Sequence, residues 1–283
     1  MRPRLVLLVL LLLPLSGCDS IGRLLPWGSK QAAAPTSDST QPKPAADAEP
    51  AAAPRLLEPE ASGLASESPA AVARCRQLLR LPRERPALAH DTNFGARTNR
   101  DAWGRRLSDA PQLIVLHETV LGEDDTIALF RTAHPRDQDQ ASYHLLVGRD
   151  GALVRVVPDA KRAYGSGMSA FGDVTQRSKP GQVGSINNIA LHISLVSPPD
   201  GRDDRDAHAG YSDAQYRSLT GQVLLWQGAY GIPLTRVTTH AAVDRSHSRY
   251  DPRSFRWDRF DLFYQEAAER CGWQRLDNQQ AGL

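Results

Sequence analysis

Two histidines and an aspartate in this chain have the chemistry of a hydrolytic metal site. His117 follows the apolar run Leu113-Ile114-Val115-Leu116, and His240 follows Val237-Thr238-Thr239. Asp251 stands eleven residues beyond His240. Two imidazoles and one carboxylate leave one position of a tetrahedral zinc ion open. A water there is acidified, or a carbonyl oxygen there is polarised. Spacing alone does not select this trio, because the chain has eight histidines.

Other polar residues are sorted by where they must point. If His117 faces the metal, strand alternation turns Glu118 to the opposite side. His192 interrupts the apolar run of residues 189–196 and needs a polar partner if it is buried. His247 lies in a polar loop and is a weaker ligand option. Position 121 is Leu, so His117-Glu118 does not open the two-histidine helical motif of zinc proteases.

The elements that must position these groups follow from periodicity. Residues 113–119 read as a strand buried on both faces, with His117 near its C-terminal end. Asp124 and Asp125 mark a helix start, where carboxylates suit the dipole. Residues 142–157 form a hairpin around the Asp150-Gly151 turn. Residues 163–180 carry loop signals and wall a groove. A second buried strand spans 189–196. Ser212 opens a helix with a capping box to Gln215, stopped by Gly231 and Pro233. Residues 237–240 read as a short strand ending in His240, and 257–271 as an amphipathic helix. Residues 70–81 are a short helix, and 94–106 an ordered loop. Alternating strands and helices predict an α/β (mixed α+β) fold, with a central mixed sheet flanked by helices.

The ends of the chain differ from its middle. Residues 1–17 have a basic start and an apolar core too short to span a bilayer, as in an export signal. Leu15-Ser16-Gly17-Cys18 resembles the lipobox of bacterial lipoproteins, which implies cleavage before Cys18, its acylation, and a membrane-anchored chain facing the periplasm. Residues 18–69 are rich in Ala and Pro and read as a disordered tether. The folded domain is then 70–275, with a short tail at 276–283. Net charge is +2, and Arg residues are interspersed with Asp, which argues against nucleic acid. Of three cysteines, Cys75 and Cys271 remain in the domain. Under oxidising conditions they are expected to form a disulfide; two buried thiols are the alternative.

A family resemblance rests on an ordered set of segments. These are Leu116-His117-Glu118-Thr119, residues 142–151 (Ser-Tyr-His-Leu-Leu-Val-Gly-Arg-Asp-Gly), Val157-Pro158-Asp159, residues 187–191 (Asn-Asn-Ile-Ala-Leu), and His240 followed by Asp251-Pro252. Together they resemble the type 2 N-acetylmuramoyl-L-alanine amidases, over roughly residues 88–265. The resemblance implies one zinc per chain, held by His117, His240 and Asp251. It implies a peptidoglycan or muropeptide substrate, cleaved at the amide between the lactyl group of N-acetylmuramic acid and L-Ala. Tyr143 matches a tyrosine near the metal that can donate to an oxyanion. His192 stands where many members have a glutamate base, and Arg249 where many have lysine. His192 can then shuttle a proton, or stand as a spectator while Tyr143 and the zinc share the work, and Arg249 can hold the oxyanion by charge. The chain is expected to be a monomer; the same two departures suit a second reading, a wall-binding lipoprotein with little or no turnover.

Overall fold

The computed structural model describes residues 66–273. The export signal, Cys18, the tether up to residue 65 and the 276–283 tail lie outside the described residues. In chain order the elements are α1 (Pro69–Leu79), β1 (Arg85–Pro86), β2 (Phe94–Ala96), β3 (Leu113–Glu118), α2 (Glu123–Arg131), β4 (Leu145–Val147), β5 (Leu153–Arg155), β6 (Lys161–Ala163), β7 (Ala190–Leu195), α3 (Asp213–Tyr230), β8 (Val237–Thr239), α4 (His240–Val243) and α5 (Trp257–Cys271).

The apolar runs occupy the centre of a six-stranded sheet ordered β1-β5-β4-β7-β3-β8. It is mixed: β3 pairs parallel with both β7 and β8, while β4 and β5 pair antiparallel. Every residue of β3 and β7 is buried. Alternation divides their side chains between two faces. Ile114, Leu116, Leu191, Ile193 and Leu195 pack on α3 and α5 through Leu219, Val223, Trp226, Phe260 and Phe263. Leu113, Val115 and Ala190 face the other way, against Val174, Ile186 and Val243. His117 and His192 share parity with that second set, so both project from the face away from α3.

Local signals explain the well-formed elements. Ser212 and Gln215 make both hydrogen bonds of the capping box, and Gly231 ends α3 in the left-handed conformation at φ 65°. Gly151 takes φ 85° in the turn between β4 and β5, where a side chain would be strained. Cys75 of α1 and Cys271 of α5 are joined by a disulfide, with Cα atoms 5.0 Å apart. The two terminal helices are thereby fixed to each other on the α3 side of the sheet.

Two expectations need correction, and one strand was not anticipated. Residues 94–106 are not all loop, because Phe94–Ala96 pairs antiparallel with Lys161–Ala163. Arg85–Pro86 adds an edge strand beside β5, too short for any periodicity to show. His240 does not end a strand but begins a helical turn, because the Thr239 side chain accepts from Ala242 N and caps it.

Candidate metal centre

His117 stands near the C-terminal end of β3 and is fully buried. β8 lies beside it in parallel register, Leu116 opposite Thr239, so the next residue, His240, emerges on the same end of the sheet. The chain then loops through residues 244–250 and returns at Asp251. That return is tied down by Ala241 N, which donates to the Asp251 carbonyl at 2.9 Å. Asp251 Oδ2 lies 3.2 Å from His117 Nδ1, and Oδ1 lies 2.8 Å from His240 Nδ1. One ligand atom from each of the three residues lies within 4.8 Å of the others.

The donor set fits zinc. His240 is buried, yet neither of its ring nitrogens has a hydrogen-bond partner. Its Nδ1 is close to Asp251 but off hydrogen-bonding geometry. Buried polar atoms without partners are uncommon, and two imidazoles with one carboxylate around a shared point are a zinc-type donor set. Burial pushes His117 down to about 4, against the pull of Asp251, so the ring is neutral and its lone pair available at neutral pH. Burial alone would raise the Asp251 carboxyl, but His240 and His117 hold it far below the usual carboxylate range. Asp251 is therefore ionised, as a ligand must be.

Tyr143 is buried against His117, ring centroids 4.4 Å apart. Burial, with Asp251 adding to it, raises its phenol well above 10, so the hydroxyl keeps its proton. Arg249 is presented by an Asp-centred turn. Asp244 accepts from Ser246 N at 3.0 Å, Ser248 N at 2.8 Å and Arg249 N at 3.0 Å. The Arg249 charge is close enough to lower both His117 and Tyr143. His192 is fully buried with Nδ1 2.9 Å from His117 Nε2. His247 is exposed and outside the three-donor group.

Glu118 faces away from the trio, as alternation predicts, and meets a partner that the spacing did not suggest. Arg253 donates through Nε to Oε1 at 2.6 Å and through Nη2 to Oε2 at 3.2 Å, and its backbone N donates to Oε1 at 2.9 Å. Ser197 Oγ and His208 Nε2 fill the rest of the carboxylate at 2.9 and 3.1 Å. Arg253 also donates to the carbonyls of Gly201, Asp203 and Arg205. Glu118 adjoins His117 and Arg253 is two residues past Asp251, so this buried pair fixes the backbones of two of the three donors. The only sequence signal for it was the buried acid itself, which requires a partner.

A family model described as N-acetylmuramoyl-L-alanine amidase matches residues 107–254. That span is more than half of the chain and includes all three donors, Tyr143 and Arg249. Comparison with curated proteins gives no match. Among solved structures, the chain is similar to a selenomethionine derivative of AmpD, at 22% identity and TM-score 0.45, covering 65% of this chain and 94% of that one. It is similar to AmiD from E. coli, solved with anhydro-N-acetylmuramic acid-L-Ala-D-gamma-Glu-L-Lys, at 20% identity and TM-score 0.44, covering 56% and 61%. It is also similar to AmpD from Citrobacter freundii, at 26% identity and TM-score 0.38, covering 58% and 86%. With the ordered motifs and the mixed sheet in place, the family match decides the assignment: the chain belongs to the N-acetylmuramoyl-L-alanine amidase family and is an amide hydrolase of that class.

Proposed function

We propose that this chain is a zinc-dependent amidase that cuts the bond between the lactyl carbonyl of N-acetylmuramic acid and the amino group of L-Ala in peptidoglycan or its fragments. One observation carries the zinc assignment: His117, His240 and Asp251 bring buried ligand atoms within 4.8 Å of one another, inside the span that the family model matches. His117 and His240 would hold the ion through imidazole nitrogen, and Asp251 through carboxylate oxygen. When bound, zinc supplies a Lewis acid that polarises the scissile carbonyl and acidifies water.

The protein's own groups divide the remaining work. The Tyr143 hydroxyl, kept protonated by burial, donates to the carbonyl oxygen as water adds and negative charge develops there. The Arg249 guanidinium stabilises the same oxygen by its charge. Collapse of the tetrahedral carbon breaks the C–N bond, leaving a lactyl carboxylate and the free amine of L-Ala, which takes up one proton. Asp251, held ionised by its imidazole neighbours, keeps its proton-free oxygens toward His117 and His240.

The same reading places the enzyme in the cell envelope. It is acylated at Cys18, tethered through residues 18–69, and acts as a monomer through domain 70–275. Replacing Cys18 by Ala tests the anchor: the wild-type chain should partition into detergent and the variant into water.

The activity is tested with purified muropeptides and mass spectrometry. The zinc-loaded chain should release free stem peptide, chelator should stop release, and added zinc should restore it. Muropeptides left intact by a chain shown to hold zinc would leave only the wall-binding reading.

A further inference from the structure

We infer that His192 is a positioning residue for His117, holding the far nitrogen of that ring. This inference rests on the metal reading of the site. Four observations place His192 behind His117 rather than in the path of a substrate. Its Nδ1 lies 2.9 Å from His117 Nε2, the nitrogen turned away from Asp251. Its own Nε2 is buried and has no hydrogen-bond partner. Its backbone N donates to His144 Nδ1 at 3.0 Å, and the two rings stack at 5.8 Å and 9°. Gly165 presses on the ring: a Cβ built there would lie 2.4 Å from His192 Cγ and Nδ1.

The neighbours fix the arrangement. His144 Nε2 is 3.1 Å from the Lys161 carbonyl, which can only accept, so that nitrogen carries the His144 proton and Nδ1 is free to accept from His192 N. Once His117 Nδ1 gives its lone pair to a metal, the neutral ring carries its proton on Nε2. The bond then runs from His117 Nε2–H to His192 Nδ1. A histidine ligand commonly donates its other ring N–H to an acceptor that sets ring orientation and basicity. The usual acceptor is a carboxylate, a carbonyl or water, and here an imidazole takes that place. With His144, Gly165 and His117 around it, the fully buried His192 ring is held against His117.

The test measures zinc affinity of the full chain by competition with a chromophoric chelator, alongside kcat at saturating zinc. Circular dichroism checks folding of each variant. His192→Phe keeps a ring but removes the acceptor, and zinc should bind about 10–100-fold more weakly, with kcat largely recovered once zinc saturates. His192→Gln, whose Oε1 can accept, should bind zinc more tightly than the Phe variant. Gly165→Ala leaves every donor in place but must displace the His192 ring, and should also weaken zinc binding; it carries the test if His192→Phe does not fold. Unchanged zinc affinity in these variants, with kcat collapsed at saturating zinc, overturns positioning in favour of proton transfer. A wild-type chain that takes up no zinc overturns the metal reading itself and is recognised before any variant is made.

Discussion

Glu118 and Arg253 close on each other beside the candidate metal centre, Nε to Oε1 at 2.6 Å, with side chains 0% and 2% exposed. Removing Arg253 leaves the Glu118 carboxylate buried without its cation, with Ser197 and His208 still on Oε2, which costs up to about 3–5 kcal/mol. Arg253→Ala should therefore lower the unfolding free energy of the metal-free chain by that amount in urea titrations. It should also weaken zinc binding, because Asp251 is two residues away. A loss below about 1 kcal/mol, the size of an exposed ion pair, would contradict this account of the pair.

Substitution of the trio should separate metal content from folding. His240→Ala is predicted to retain its circular dichroism spectrum and lose bound zinc, read as metal per chain after dialysis. Wild type should also melt higher with zinc than without, since a ligand bound only by the folded state stabilises it. A His240→Ala chain that still holds one zinc would remove that residue from the site.

Tyr143→Phe isolates one hydroxyl. The ring still fills its place between His117 and Phe130, so stability and zinc content should hold. Loss of one oxyanion donor typically lowers kcat about 10²–10³-fold. Steady-state kinetics on a muropeptide should show that fall in kcat with KM little changed.

Acidification should destabilise the metal-free chain before its carboxylates titrate. Burial holds His117 down to about 4 and also depresses His144 and His192, against an unfolded histidine near 6.5. Between those values the unfolded chain binds protons that the folded chain does not, so stability rises with pH across the window. The contribution is complete above pH of about 6.5 and is lost as pH falls toward about 4, by up to ~3 kcal/mol from His117. Urea midpoints measured from pH 7 to 4 should fall accordingly, and a flat profile would count against neutral buried imidazoles.

The Cys75–Cys271 bridge spans 196 residues of sequence. A loop of that length gives about 5 kcal/mol in the chain-entropy picture, and removal of native disulfides usually costs about 2–5 kcal/mol. Cys75→Ser should lower the denaturation midpoint by a corresponding amount, and reductant should do the same to wild type but nothing further to the variant.

Much of this architecture is legible from residue order. The apolar run before His117, the Asp150-Gly151 turn and the Ser212–Gln215 capping box each encode their element through local chemistry, and α5 begins and ends where its periodicity places it. Short pairings are not legible. β1, β2 and β6 have two or three residues each, and their pairing is decided by tertiary register. His240 reads as strand because Val237-Thr238-Thr239 favours extension, whereas the Thr239 cap turns the chain into a helix one residue later. The convergence of His117, His240 and Asp251 was suggested by residue type and family resemblance. The link from Glu118 to Arg253, 135 residues on, had no local signal. Nor did the close approach of Gly165 to His192, 27 residues apart in the chain.

The bridge between α1 and α5 also governs what a proteolytic cut can do. Any single scission between Cys75 and Cys271 leaves both pieces covalently joined. A nick in the 164–187 loop would pass unnoticed on a non-reducing gel and appear as two fragments only after thiol treatment. Clipped molecules would thus stay whole for as long as their surroundings remain oxidising.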